Sequence, residues 1–105
     1  MIRVEYRRSE SFHHLTIKGH AGYSAHGNDI VCAAVSAMTA ELAGFLERLR
    51  AEDGSGGAYD LKSGDSVIAW SRSAKSDTAF DMALVGYEMA SQMYPTHVGL
   101  QIEAD

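Results

Sequence analysis

The pattern of apolar residues predicts an α+β fold in which two helices pack on a mainly antiparallel sheet, in the order ββαββαβ. Segments that alternate apolar and polar residues come in pairs separated by short turns. Each pair is followed by a long segment in which apolar residues recur every three or four positions. A chain of 105 residues is the size of one domain, so we expect a single domain over residues 1–105.

The first strand pair is predicted over residues 2–6 and 12–18. One face of each strand is apolar, because a strand turns successive side chains to opposite faces. The residues expected to face the core are Ile2, Val4, Tyr6, Leu15 and Ile17. His13 and His14 fall on opposite faces of the second strand, and both are expected at the surface.

The first helix is expected to begin at a cap formed by Asn28 or Asp29 and to end by Asp53. Its predicted core stripe comprises Val31, Val35, Met38, Leu42, Phe45, Leu46 and Leu49. The stripe follows the helical period, so it should face the sheet.

The second half of the chain repeats this pattern. A hairpin is predicted over residues 59–62 and 67–72, around a turn at residues 63–65, and a helix capped by Ser76 or Asp77 follows. The broad apolar surface of that helix comprises Phe80, Ala83, Leu84, Tyr87, Ala90 and Met93. Pro95 stops the helix, and residues 98–102 alternate as the last strand.

The net charge of −5, without a long basic run, disfavours direct nucleic-acid binding. The chain has one cysteine, so an intrachain disulfide is impossible. No continuous run of about 18 apolar residues is present for a membrane span. These features favour a cytoplasmic protein with no membrane partner and no cofactor.

The segment GHAGYSAHGNDIVCAAVS, residues 19–36, carries the candidate chemistry. It places His20 in a glycine-rich loop and Cys32 twelve positions later, near the start of the first helix. Unpaired amides and the positive end of the helix dipole favour a thiolate there. The same amides can donate to the oxyanion of a tetrahedral intermediate. His20 would serve as general base and then as acid to the leaving amine.

Structural interpretations compete with this one. On position alone, a lone cysteine beside alanines is more often a packed core thiol. Asp29 can orient His20 or hold the loop, or only cap the helix. Ser36, one turn beyond Cys32, can bond the thiolate or substrate, or only a backbone carbonyl. His26 is a second candidate base.

The loop glycines do not follow a phosphate-binding pattern. We expect Gly19, Gly22, Tyr23 and Gly27 to belong to a mobile loop, poorly ordered over residues 21–28 without substrate, that closes over a bound peptide. Paired zinc-ligand spacings are absent from the sequence, so no metal site is expected.

The motifs Gly19-His20-Ala21-Gly22-Tyr23 and Gly27-Asn28-Asp29-Ile30-Val31-Cys32-Ala33-Ala34-Val35-Ser36 resemble the signature of the ribosomal-processing cysteine protease family, Prp. Met93-Tyr94-Pro95 followed by Val98 is similar to the family's last helix and strand. The stretch from residue 54 to residue 75 matches only in outline. His26 stands where other residues are common in the family.

The resemblance implies a His–Cys dyad of His20 and Cys32, with Asp29 and Ser36 at supporting positions of the active site. It also implies a homodimer. The implied reaction removes a short N-terminal extension from the precursor of the large-subunit ribosomal protein bL27.

Two other hypotheses remain open at this point. One is a non-catalytic ribosome-assembly or protein-binding module with the same fold, in which Cys32 is unreactive. The other is a redox sensor, which would depend on intermolecular disulfides or small-thiol capping because the chain has no resolving cysteine.

Overall fold

A computed structural model describes residues 1–25 and 27–104. The strands are β1 (Ile2–Arg8), β2 (Phe12–Lys18), β3 (Gly57–Lys62), β4 (Asp65–Ser71) and β5 (Val98–Ala104), and the helices are α1 (Ile30–Glu52) and α2 (Ala74–Met93). The element order is ββαββαβ. The predicted α+β fold is confirmed.

The sheet has the strand order β3-β4-β2-β1-β5, in which only the β1–β5 pair is parallel. Along β1 and β2, Val4 pairs with Ile17 and Tyr6 pairs with Leu15. This register places the inward residues of both strands on one face of the sheet. That face carries both helices, because the buried residues of α1 and α2 join those of the strands in one core cluster.

The predicted helix stripes are buried only in part. Val31, Val35, Leu42, Leu46 and Leu49 of α1 are in the core, as are Phe80, Tyr87 and Ala90 of α2. The inward placement predicted for Phe45 and Met93 is wrong, because their side chains are 41% and 64% exposed. Phe45 instead lines an open groove between the two helices, together with Met82 and Val85 of α2.

The surface placement predicted for His13 is also wrong. Its side chain is fully buried, because it shares the inward face of β2 with Leu15 and Ile17. The ring stacks on Phe80 at 4.1 Å between centroids. Burial is tolerated because both ring nitrogens have hydrogen-bond partners.

The two helices begin at side-chain caps. Asp29 caps α1, as predicted. The cap of α2 is Ser73, three residues before the predicted Ser76. Ser76 is the third residue of the helix and completes a capping box, in which the side-chain oxygen of each serine accepts a hydrogen bond from the backbone N–H of the other.

The predicted helix ends are confirmed, with Asp53 and Tyr94 as the C-terminal caps and Pro95 directly after. Both strands of the second hairpin begin two residues earlier than predicted, and β4 ends at Ser71, one residue before its predicted end. Lys62 pairs with Asp65, so only Ser63 and Gly64 form the turn.

Helix α1 is, among the described residues, long and apolar enough by length and composition to cross a membrane. The core helix of a soluble protein meets the same criteria. Here Val31, Val35, Leu42, Leu46 and Leu49 of α1 pack in the core of the fold.

Candidate active site

Cys32 is the third residue of α1 and its side chain is half-buried. The loop that precedes the helix folds back over it, so that the backbone N–H of Ala21 donates to the Cys32 Sγ at 3.3 Å. A donor aimed at sulfur stabilises a thiolate more than a thiol. The geometry therefore adds a loop amide to the helix-start environment that the sequence suggested.

Asp29 connects the helix start to the loop. One carboxylate oxygen accepts from the N–H groups of Val31 and Cys32 at 3.0 Å each. The other accepts from Tyr23 at 2.9 Å and Ser24 at 3.4 Å. Asp29 thus caps the helix and also holds the loop, so two of the alternatives proposed for it hold together.

These backbone bonds also set the charge state of Asp29. Hydrogen bonds from backbone N–H groups, first that of Cys32, hold the pKa of the carboxyl below its usual value. The carboxylate is therefore stabilised by amides. The N–H of Ala33 bonds the Asp29 carbonyl at 3.0 Å. The N–H groups of Val31, Cys32 and Ala33 are therefore all in use, and each would have to leave its present partner before donating to an oxyanion.

His20, Cys32 and Ser36 line one cavity of about 360 Å³. Its walls include the apolar side chains of Ile2, Ile17, Val35 and Leu61. The rest of the lining consists of small or polar residues, Gly19, Thr39, Ala40, Lys62, Ser63, Gly64 and Ser66. A cleft with apolar walls and a few convergent polar groups is typical of a peptide or small-molecule site.

The turn of the β3–β4 hairpin forms part of this cavity, which sequence reasoning missed. Gly64 accepts a hydrogen bond from the Gly19 N–H through its carbonyl at 2.9 Å. A Cβ on Gly64 would lie 2.6 Å from the His20 Nε2. The two-residue turn is visible in the sequence, but its position beside His20 depends on the β2–β4 pairing.

The turn between α2 and β5 also contacts the loop, and it too was missed. The His97 Nδ1 lies 2.8 Å from the carbonyl oxygen of Ala21. The Tyr23 ring makes edge contacts with Tyr94 and His97 at centroid distances of 5.5 and 5.3 Å. The resemblance drew attention to Tyr94 only as part of a helix ending.

Gly19, Gly22 and Gly27 have positive φ angles of 91°, 68° and 93°, which favour glycine. The Tyr23 ring packs against Tyr94 and His97, and its N–H donates to Asp29. This part of the predicted mobile loop is therefore anchored on two sides. Its mobility stays a prediction. His26, the second candidate base, lies outside the described residues. Within residues 1–25 and 27–104, no group of three or more His, Cys, Asp or Glu could hold a metal ion.

A family model described as cysteine protease Prp matches residues 1–99 of the chain. A search of curated proteins gave no match.

Solved structures with the same fold include a ribosomal processing protease Prp from S. aureus with a covalently linked product peptide. It has a TM-score of 0.83 and 19% identity, covering 98% of this chain and 100% of that one. The same S. aureus protease with a substrate peptide has a TM-score of 0.73 and 18% identity, with 98% and 100% covered. SMU.848 from Streptococcus mutans has a TM-score of 0.75 and 23% identity, with 100% and 96% covered.

Proposed function

Since the chain belongs to the cysteine protease Prp family, we propose that it is an endopeptidase that removes a short N-terminal extension from ribosomal protein bL27. Cys32 is the proposed nucleophile and His20 the proposed general base. The observation that carries this proposal is that both side chains line one cavity at the start of α1, with the Ala21 N–H aimed at the Cys32 sulfur.

The proposed reaction has two steps. The Cys32 thiolate attacks the scissile carbonyl carbon, and the resulting tetrahedral intermediate collapses as the C–N bond breaks and the His20 imidazolium gives its proton to the leaving amine. Water then attacks the thioester while His20 takes its proton. The C–S bond breaks, and the new carboxyl end of the peptide leaves.

Asp29 and Ser36 are proposed to support the dyad in different ways. Asp29 acts at one remove, because its carboxylate holds the loop amides of Tyr23 and Ser24. Ser36 is exposed and lines the same cavity as Cys32, so its hydroxyl can meet the substrate or the sulfur. Neither residue is proposed to take part in bond breaking.

The substrate proposal is supported by the S. aureus structures, which are of a ribosomal processing protease with a substrate peptide and with a covalently linked product peptide. The apolar walls formed by Ile2, Ile17 and Leu61 suit a peptide with apolar side chains. A homodimer and a cytoplasmic location remain part of the proposal.

The test is cleavage of a synthetic peptide that spans the extension of the ribosomal protein, followed by N-terminal sequencing of the product. Cys32→Ala and Cys32→Ser should each lower kcat by at least about 1,000-fold, because the nucleophile is removed. His14→Gln, on the opposite face of β2 from the buried His13, is the matched control and should keep full activity. Full activity in the Cys32 variants would rule the proposal out.

A further inference from the structure

The turn between α2 and β5 holds His97 in a fixed position. The N–H groups of His97 and Val98 both donate to the Tyr94 carbonyl at 2.9 Å. The His97 carbonyl in turn accepts from the N–H of Ile2 at 2.8 Å. His97 is therefore tied to the end of one helix and to the first strand, and its half-buried ring has a defined direction.

That ring carries a hydrogen on Nδ1. The Nδ1 lies 2.8 Å from the Ala21 carbonyl oxygen, and a carbonyl can only accept. The neutral Nδ1–H tautomer and the imidazolium both satisfy this requirement. The hydrogen bond therefore persists whether or not His97 is charged.

Ala21 receives this bond at one end and gives another at the other end. Its N–H donates to the Cys32 Sγ at 3.3 Å, and its side chain is buried. It also directly follows His20 in the chain. Fixing the Ala21 carbonyl thus fixes the donor to the sulfur and the backbone that carries the His20 ring.

A second contact acts in the same direction. The Tyr23 ring packs against Tyr94 and His97, while its N–H donates to Asp29. The loop segment from Ala21 to Tyr23 is therefore held from one side by the start of α1 and from the other by the turn before β5.

We infer that His97 is a positioning residue of the active site, which acts through Ala21 to hold the loop amide on the Cys32 sulfur and to set the place of His20. The inference deepens the proposed function and rests on it for its catalytic consequence. The contact joins residues 76 positions apart, so the fold and not the local sequence brings them together.

Two conservative variants test the inference. In His97→Asn the amide nitrogen lies as many bonds from Cα as Nδ1 does, so it can replace the donor to Ala21. In His97→Gln it lies one bond further, near the position of Nε2. H97Q should lower kcat about tenfold with KM changed less than about twofold. H97N should keep a kcat close to that of the wild type.

Alkylation of Cys32 by iodoacetamide near neutral pH gives a readout that needs no substrate. Loss of one donor to the thiolate should slow it about fivefold in H97Q and much less in H97N. Equal rates in the two variants, or rates like those of the wild type in both, would overturn the inference. If the wild type fails to cleave the ribosomal peptide while alkylation separates the variants, the proposed substrate fails and the positioning role stands.

A measurement on the wild-type protein removes any dependence on variant folding. Nitrogen NMR of the histidine rings should show His97 protonated on Nδ1 throughout the range in which the chain is folded. A neutral ring protonated only on Nε2 would contradict the Ala21 contact, because the lone pair of Nδ1 would then face the carbonyl oxygen.

Discussion

At the scale of single residues, Gly64 shows how closely a turn is fitted to the site. Its φ angle of 73° lies in the left-handed region, and a Cβ there would lie 2.6 Å from the His20 Nε2. Any side chain at this position would therefore combine backbone strain with a clash against the imidazole. The sequence indicates a turn at this position, but it does not indicate which side chain the turn meets.

Gly64→Ala should lower the catalytic activity by more than its loss of folding stability would explain. Gly54 is the matched control, because its φ angle is 74° and a Cβ there would meet nothing within 4 Å. Each substitution should cost about 1–2 kcal/mol of folding free energy through the same backbone strain. Only G64A should also displace His20 and lower kcat/KM, by about tenfold or more. Urea unfolding and peptide cleavage measure the two effects, and equal kcat/KM in the two variants would contradict the fit.

At the scale of elements, the loop before α1 depends on the helix that follows it. Asp29 is the helix cap and also the acceptor for Tyr23 and Ser24. Capping is a local property, so the sequence predicted it from a short polar residue before an apolar period. Its second role needs the loop to fold back on the helix, which no local pattern encodes.

Asp29→Ala and Ser73→Ala separate these two roles, because each removes the N-terminal cap of one long helix. Loss of the Ser73 cap should lower the melting midpoint by about 5 °C, and loss of the Asp29 cap by at least as much. Only D29A should also release the loop and lower kcat. Calorimetry and peptide cleavage give the two readouts, and an S73A enzyme as impaired as D29A would refute the loop-holding role.

At the scale of the whole molecule, a buried polar chain joins β1, β2 and α2. Arg8 donates to the Tyr6 oxygen at 2.7 Å, and Tyr6 lies 2.6 Å from the His13 Nδ1. Burial raises the pKa of Tyr6, so the hydroxyl keeps its proton and donates to that nitrogen. The His13 Nε2–H then donates to Asp77 at 2.8 Å, and Arg72 pairs with the same carboxylate. This chain needs a neutral His13.

The stability of the fold should therefore fall in mild acid. Burial, followed by the charge of Arg8, lowers the pKa of His13 from 6.5 to about 4. The charge of Asp77 and its hydrogen bond raise this pKa, and the charge of Arg72 lowers it, but burial and Arg8 outweigh Asp77. The unfolded chain binds the proton first as the pH falls. The contribution of His13 is thus complete above pH 6.5 and is lost between 6.5 and 4. It amounts to about 3 kcal/mol.

Urea unfolding across this pH range measures the effect. His13→Gln should flatten the slope, whereas His14→Gln, on the other face of the same strand, should keep it. Asp and Glu side chains also titrate near the lower end of this range. The contribution of His13 is therefore measured by the difference between the stability curves of the two variants. Parallel curves would show that His13 does not carry the pH dependence.

The order of elements, the apolar inward residues of β1 and β2, and the cap of α1 followed from the sequence because each depends on residues within about four positions of one another. The motif around His20 and Cys32 also identified the family. The β3–β4 turn beside His20, the contact of His97 with Ala21 and the stacking of His13 on Phe80 were not predictable in this way. They join distant parts of the chain, so strand register and helix packing fix them, and neither is encoded in a local pattern.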